Sequence, residues 1–229
     1  MRFIIPAKAG SQRVHRKNWR PFHEGESLVD ITIGKLIRAG VDREKIHLSC
    51  ECEETAGPVA KDWKINYLPR DQSLCENSVP LTTWIRSITA QIPGNDDIAW
   101  CQVCDPLFDE HWQCLKKWTH VRDDYDSLVV CYPWRGYLMT GDSQPVGWSF
   151  GEHHTPSQQL SRFRTMPFTL SILTREAIAV TGYHVGKAPF WYESNRMHVD
   201  IDTEQDCLIA QVLHAELQSA EDSSVVTDG

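Results

Sequence analysis

The sequence lacks any apolar run approaching the ~20 residues that a membrane-spanning helix needs. It also lacks the pattern of a secretory signal peptide after Met1, and it contains neither an internal repeat nor coiled-coil heptads. These absences predict a cytoplasmic globular protein. The hydrophobic fraction of 41% over 229 residues is sufficient for one sizeable core.

Positive charge is also scarce, since 23 basic residues stand against 31 acidic ones and give a net charge of -8. This balance disfavours nucleic acid and anionic membranes as partners, because both require broad basic surfaces. The first 20 residues are the exception, with bases and no acid. Their basic residues are Arg2, Lys8, Arg13, Arg16, Lys17 and Arg20. A concentrated basic segment in an acidic protein predicts a small, highly charged anion as the ligand.

The eight cysteines do not form the pattern of a metal site or a disulfide framework. Cys101 and Cys104 have the C-x-x-C spacing of some zinc and redox sites, but no second pair with matching spacing accompanies them. Cys50 and Cys52 flank an acidic residue after the second predicted strand. We interpret the cysteines as reduced thiols, several of them in buried strands.

Strand-like runs alternate with helical patterns over the first 130 residues, which predicts an α/β fold with a mostly parallel sheet. The predicted strands are 2–6, 45–50, 64–68, 98–103 and 127–132, and the predicted helices are 27–39, 53–62, 79–91 and 110–120. Residues 133–163 show neither period, which predicts an arm or lid. A strand at 167–173, a helix from Thr174, a strand at 196–201 and a helix at 203–217 then complete a single domain, 1–217. The small, polar tail 218–229 is predicted to be disordered.

The loop after the first strand, residues 7–18, combines small residues with four bases. Small residues let backbone N–H groups approach an anion, and the bases neutralise its charge. Such a loop lies at the carboxyl ends of the strands, where α/β sheets bind ligands. It is neither a Walker loop nor a G-x-G-x-x-G loop. A solvated basic loop is the alternative interpretation.

The end of the first strand and this loop resemble the I-P-A-R-G-G-S-K-R-I-P-R-K-N signature of acylneuraminate (CMP-acid-sugar) cytidylyltransferases. The matching segment is Ile5-Pro6-Ala7-Lys8-Ala9-Gly10-Ser11-Gln12-Arg13-Val14-His15-Arg16-Lys17-Asn18. The resemblance implies a three-layer, Rossmann-like nucleotidyltransferase fold with a small dimerisation or acceptor arm. It also implies a CTP site lined by Lys8, Ala9, Gly10, Ser11, Gln12 and Asn18, with Lys17 as a catalytic residue. Lys8 replaces Arg and keeps its charge, whereas Gln12 replaces Lys and loses one phosphate contact.

Two shorter segments extend the resemblance. Arg70 and Leu74 match the family's R-P-x-x-L-A-x-D run, which assigns Arg70 to the cytidine pocket; a surface arginine before a helix is the alternative. Gln102 matches the first residue of the family's Q-P-T-S-P-L run and would contact the acceptor substrate. Asp105 departs from that run and would either bind Mg²⁺ or repel an acidic acceptor. Arg164 falls where the family has a base for the acceptor carboxylate, but the Asn-Gly that usually follows is missing.

The segment from His198 to Asp206 contains Asp200 and Asp202 and matches the family's closing I-D-I-D-T-x-x-D motif almost completely. In an extended strand these two carboxylates would project to the same face, ~7 Å apart along the backbone, and both could bind one hydrated divalent cation. We therefore predict Mg²⁺ as the cofactor, with Asp200 and Asp202 as metal ligands and catalytic residues. Simple capping of the following helix is the alternative role.

The resemblance implies that an oxygen of a small acidic acceptor attacks the α-phosphate of CTP and releases pyrophosphate. Three hypotheses remain open: a CMP-acid-sugar synthetase, a phosphonate cytidylyltransferase of the same fold, and a catalytically weak nucleotide-binding homologue. The altered acceptor region and Asp105 favour the second. Gln12, Asn77 and the changed run after the second strand favour the third, whereas Asp200 and Asp202 argue against it. The resemblance also implies a homodimer.

Overall fold

The computed structural model of the protein describes residues 1–11, 13–76, 78–134, 136–152, 154–160 and 162–227, with side chains described up to residue 220. The strands are β1 (Arg2–Pro6), β2 (Ile46–Cys50), β3 (Asn66–Pro69), β4 (Ile98–Cys101), β5 (Ser127–Pro133), β6 (Leu138–Met139), β7 (Pro145–Val146), β8 (Arg164–Thr165), β9 (Leu170–Leu173) and β10 (Pro189–Glu193). The α-helices are α1 (Leu28–Arg38), α2 (Glu53–Trp63), α3 (Leu81–Ala90), α4 (His111–Val121), α5 (Arg175–Thr181) and α6 (Glu204–Thr227).

The central sheet has the strand order β10-β5-β9-β4-β1-β2-β3, and the short β8 pairs with β5. Strands β1 to β4 are mutually parallel in their pairings, and β10 is parallel to β5. Strand β9 lies antiparallel between β4 and β5. The sheet is therefore mostly parallel, as the sequence predicted, with one inserted antiparallel strand.

Alternation along β1 divides the hydrophobic core into two layers, because successive side chains of a strand point to opposite faces. Phe3 and Ile5 belong to a cluster that includes buried residues of α1, α2, α4 and α6. Ile4 belongs to the other cluster, with residues of α3 and α5. Ile4 and Ile5 are fully buried, and each such side chain contributes ~1.5–3 kcal/mol of hydrophobic free energy. The result is the predicted three-layer arrangement of helices, sheet and helices.

Local sequence signals account for several helix ends. Ser27 caps α1 and forms a reciprocal capping box with Asp30. Thr174 caps α5 by accepting a hydrogen bond from the Ala177 N–H, and Gly182 ends the same helix at φ 61°, a left-handed conformation that suits glycine.

The prediction of a strand at 196–201 was wrong, since these residues form no strand. The edge strand instead is β10, whose Phe190, Trp191 and Tyr192 have the aromatic side chains favoured in strands. The last helix also extends past its predicted end at Leu217 to Thr227, because no glycine or proline interrupts this stretch. Residues 218–227, which belong to the tail predicted to be disordered, are thus the end of α6.

Residues 133–163, which we call the arm, leave the sheet at the end of β5 and return at β8. The arm contains the two-stranded β6–β7 hairpin, and the indole of Trp148 donates a hydrogen bond to the Leu138 carbonyl at 2.7 Å. Within the described part of the chain, no helix combines the length and apolarity needed to cross a membrane.

Candidate active site

A cleft of about 620 Å³ opens at the carboxyl ends of β1, β3 and β4. Its described lining is Pro6, Lys8, Gly10, Ser11, Arg13, Val14, Lys17, Asn18, Arg70, Leu74, Cys75, Glu76, Val79, Leu81, Trp84, Gln102, Val103, Cys104 and Asp202. Ala9 lies on the other side of the same loop, in an adjoining depression that also includes Glu51. Most of the residues predicted to bind nucleotide therefore meet in one place. Gln12 and Asn77 lie outside the described residues.

The N-terminal loop is folded onto itself by hydrogen bonds to the carbonyl of Lys8. The Asn18 amide donates to this carbonyl at 3.1 Å and the Trp19 indole at 2.9 Å. Asn18 is 7% exposed, so its placement is fixed by the interior. The Lys8 ammonium donates to the carbonyl of Cys75 across the cleft. Asn18 thus stabilises the conformation of the loop, and the Lys8 side chain extends across the cleft.

A buried ion pair beneath this loop was missed from the sequence. Glu51 accepts a hydrogen bond from the Ala9 N–H at 2.8 Å and one from the Arg70 guanidinium at 2.8 Å. The Glu51 and Arg70 side chains are 5% and 6% exposed. Burial alone would raise the pKa of Glu51, but the hydrogen bond from Arg70, with those from backbone N–H groups, holds it below its usual value. The signal in the sequence was an acid at the carboxyl end of β2, where the ligand-binding edge of the sheet lies.

Arg70 also contacts an aromatic side chain that lines the cleft. Its guanidinium lies 5.7 Å from the ring centroid of Trp84, within the range of a cation–π contact. Trp84 in turn packs against the buried Trp100 of β4, with ring centroids 5.2 Å apart. Arg70 is therefore held by an acid on one side and an aromatic ring on the other, in contrast to the surface arginine of the alternative interpretation.

Residues 198–202, which we call the carboxylate segment, lie at the carboxyl end of β4. The Ile201 N–H donates to the Cys104 carbonyl at 3.0 Å, and the Lys17 ammonium donates to the Ile201 carbonyl. The Arg13 guanidinium forms an ion pair with Asp202 at 2.7 Å. The basic loop and the carboxylate segment therefore meet across the cleft, although the strand that was expected to bring them there is absent.

The two carboxylates of this segment influence each other. Partial desolvation raises the pKa of Asp200, the hydrogen bond from Cys104 opposes this rise, and the neighbouring charge of Asp202 adds to it. Two mutually repelling carboxylates with hard oxygen donors fit a magnesium ion. Among the described residues, no group of three or more His, Cys, Asp or Glu side chains surrounds a common point. A cation here would take its remaining ligands from phosphate oxygens and water.

The structure corrects the substrate-facing placement of Asp105 and Arg164, because neither is among the described residues that line the cleft. Asp105 is 5% exposed and accepts hydrogen bonds from the hydroxyls of Tyr132 and Thr169. Burial raises the pKa of this carboxyl group. Arg164 forms an ion pair with Glu193 at 2.8 Å, where β8 and β10 flank β5. Gln102, by contrast, lines the cleft, and its contact with an acceptor stays a prediction.

No family model and no curated protein matches the sequence. Solved structures do match over nearly the whole chain. CMP:2-keto-3-deoxy-manno-octonic acid synthetase complexed with CTP matches with a TM-score of 0.64 and 11% identity, over 94% of this chain and 98% of the other. The 4-diphosphocytidyl-2C-methyl-D-erythritol synthase of Anaerococcus prevotii matches with a TM-score of 0.65 and 12% identity, over 94% and 95%. A putative glucose-1-phosphate thymidylyltransferase of Bacillus anthracis matches with a TM-score of 0.64 and 11% identity, over 93% and 94%. The chain shares its Rossmann-like fold with these nucleotidyltransferases.

Proposed function

We propose that the protein is a cytidylyltransferase that transfers CMP from CTP to a small acidic acceptor and releases pyrophosphate. The observation that carries this proposal is the meeting of Arg13 and Lys17 with the carboxylate segment at the carboxyl end of β4. This pairing gives one cleft the cations that a triphosphate needs and, in Asp202, a carboxylate for its metal ion, with Asp200 two residues away. The shared fold with a synthetase solved in complex with CTP supports the choice of nucleotide.

The basic residues of the cleft would neutralise the phosphates of CTP. Lys8 and Lys17 now donate to backbone carbonyls, and Arg13 is paired with Asp202. A bound triphosphate would compete for all three cations because charge-assisted bonds to phosphate are stronger than bonds to a neutral carbonyl. Release of Asp202 from Arg13 on nucleotide binding would then free its carboxylate for the reaction.

We further propose that Asp200 and Asp202 hold Mg²⁺, since their paired carboxylates offer the hard oxygen donors it prefers. The ion would neutralise charge on the phosphates. Asp202 is the group best placed to accept a proton if the acceptor attacks through a sugar hydroxyl, because it lines the cleft. No covalent intermediate is required, and positioning with charge neutralisation provides the rate enhancement.

An acid sugar, such as a nonulosonic acid, is the acceptor that we propose, and a phosphonate is the alternative. Asp105 is buried outside the cleft, so its carboxyl group no longer argues for the second at the expense of the first. One observation favours a catalytically weak homologue instead: Glu51 already occupies the Ala9 N–H and neutralises Arg70. In that case the loop would bind phosphate through fewer groups.

In the described part of the arm, four large hydrophobic side chains are exposed, namely Trp134, Tyr137, Met139 and Phe150. Exposed apolar groups gathered on one projecting segment are typical of a protein contact surface. We propose that the arm forms part of a homodimer interface.

Nucleotide preference provides the test of the proposed function. Thermal unfolding should shift upward with CTP and Mg²⁺, and less with ATP or GTP, because binding to the folded state stabilises it. The Lys17→Met variant should lose most of the shift, while Lys61→Met, on the exposed part of α2, should keep it. A larger shift with ATP or GTP would overturn the choice of CTP.

A further inference from the structure

Asp105 is a buried carboxylate immediately after the strand whose end forms the cleft. Its Oδ2 atom accepts hydrogen bonds from the Tyr132 hydroxyl at 2.7 Å and from the Thr169 hydroxyl at 3.0 Å. Tyr132 is 1% exposed and Thr169 is 2% exposed. A carboxylate so deeply buried is costly unless its oxygens are satisfied. Asp105 therefore needs hydrogen-bond donors at this position that an apolar side chain would not need.

The other oxygen of Asp105 is directed at the carboxylate segment. Oδ1 lies 3.5 Å from the backbone nitrogen of Val199, which donates to it. The side chain thus bridges the ends of β5 and β9 on one side and the backbone of residues 198–202 on the other. No other described carboxylate in the interior connects the sheet to this segment.

Contacts at two further residues, His198 and Ile201, hold the same segment in place. The ring of Tyr132 stacks on His198 with centroids 3.8 Å apart and an interplanar angle of 15°. The Ile201 N–H donates to the Cys104 carbonyl at 3.0 Å, and Ile201 is fully buried. Residues 198, 199 and 201 are therefore held by the ends of β4 and β5, while the acidic residues between and after them remain accessible.

We propose that Asp105 is a positioning residue that anchors the backbone of the carboxylate segment so that Asp202 is held at the cleft with Asp200 two residues before it. The anchor substitutes for the strand pairing that the sequence predicted and the structure lacks at residues 196–201. Its consequence for catalysis rests on the proposed function, because it acts through the two carboxylates. Its effect on the backbone does not.

Amide hydrogen exchange of residues 198–203 in the ligand-free full chain measures this anchoring directly. Asp105→Asn removes a charged acceptor and places an amide beside the Val199 N–H, so we expect exchange in this segment to become about tenfold faster. Tyr132→Phe keeps the ring on His198 and removes one donor to Asp105, so it should produce a smaller increase.

Asp97→Asn is the matched control. Asp97 is 8% exposed, precedes β4 at its other end, and accepts hydrogen bonds from the Trp118 indole and Arg122. This variant should lower stability without accelerating exchange at 198–203. Unchanged exchange in Asp105→Asn, or an equal local increase in Asp97→Asn, would overturn the anchor. If Asp105→Asn does not fold, the local exchange of Tyr132→Phe decides, with an unchanged rate as the contrary result.

Kinetics then connects the anchor to the reaction. Residues that orient metal ligands typically change metal affinity by ~10-fold or more, so the Mg²⁺ concentration for half-maximal turnover should rise about tenfold in Asp105→Asn. The KM for CTP should change much less. Faster local exchange with no turnover by the wild-type protein on any acceptor would refute the proposed function and leave the anchor standing. Faster exchange with an unchanged Mg²⁺ requirement in an active enzyme would refute the link to the metal ligands.

Discussion

Asp202 is the residue on which the proposed chemistry depends most. Its side chain is 42% exposed at the cleft and its present partner is the exposed Arg13. Substitution by alanine should therefore leave folding intact while reducing kcat by ~10²-fold or more, since both a metal ligand and the candidate base are lost. Initial rates of pyrophosphate release measure this effect. Asp123→Ala, at an exposed carboxylate on the loop after α4, should retain the wild-type rate. Normal activity in Asp202→Ala would refute its assignment.

The Glu51–Arg70 pair provides a prediction on stability. Removing one partner of a buried ion pair leaves an uncompensated charge, so Glu51→Gln should destabilise the protein by ~3–5 kcal/mol. The double variant Glu51→Gln/Arg70→Met should recover part of this loss, as urea unfolding can measure. A double variant no more stable than Glu51→Gln would show that the two charges are not coupled.

The same pair has a pH dependence with a defined sign. The pKa of folded Glu51 lies below its usual value, so the unfolded chain binds the proton more tightly. The stabilisation is therefore present above the unfolded pKa and is lost as the pH falls through the folded pKa.

Helices and strands up to β5 follow the predicted pattern because most of them have a buried face that shows in the sequence, and α1 also has the capping box of Ser27 and Asp30. The meeting of the loop residues at one cleft was predictable for a related reason. Lys8, Ser11 and Asn18 are close in sequence to the strand that positions them. The ion pair of Glu51 and the hydrogen bonds of the buried Asp105 could not be read from the sequence, because their partners lie 19 to 94 residues away. The edge strand β10 was missed although its aromatic residues favour a strand, because its run is short and its place in the sheet depends on pairing with the distant β5.

The arm carries the prediction at the scale of an element. Replacing Met139 and Phe150 together by aspartate should convert a dimer into a monomer, because like charges would face each other on a formerly apolar contact. Sedimentation equilibrium measures the mass directly. Val180→Asp, at an equally exposed apolar side chain on α5, should leave the mass unchanged. A wild-type protein that sediments as a monomer at all concentrations would contradict the dimer.

We expect the buried histidines to make the whole molecule sensitive to acid. Burial lowers the pKa of His184 and of His214 to about 4, and that of His111 to about 3. His184 is 3% exposed, and within the described residues neither of its ring nitrogens has a hydrogen-bond partner. Since the unfolded chain takes up these protons near pH 6.5 and the folded chain only near pH 4, stability should fall progressively as the pH drops through this range.

His184→Phe tests this explanation. The ring lies among Trp100, Phe168 and Tyr183, so an apolar ring of similar size should fit. As the pH falls from 6.5 to 4, the wild type should lose up to about 3 kcal/mol more of its unfolding free energy than this variant does. His15→Phe, at an exposed position, serves as the control. An unchanged pH dependence of thermal unfolding in His184→Phe would assign the acid sensitivity to other groups.

Pyrophosphate release from CTP and Mg²⁺, measured with a panel of acid sugars and phosphonates, tests the central claim most directly. The account predicts turnover with at least one acidic acceptor, formation of the corresponding CMP conjugate, and loss of both in Asp202→Ala. Binding of CTP without turnover on any acceptor would contradict it and favour a nucleotide-binding protein that has lost catalysis.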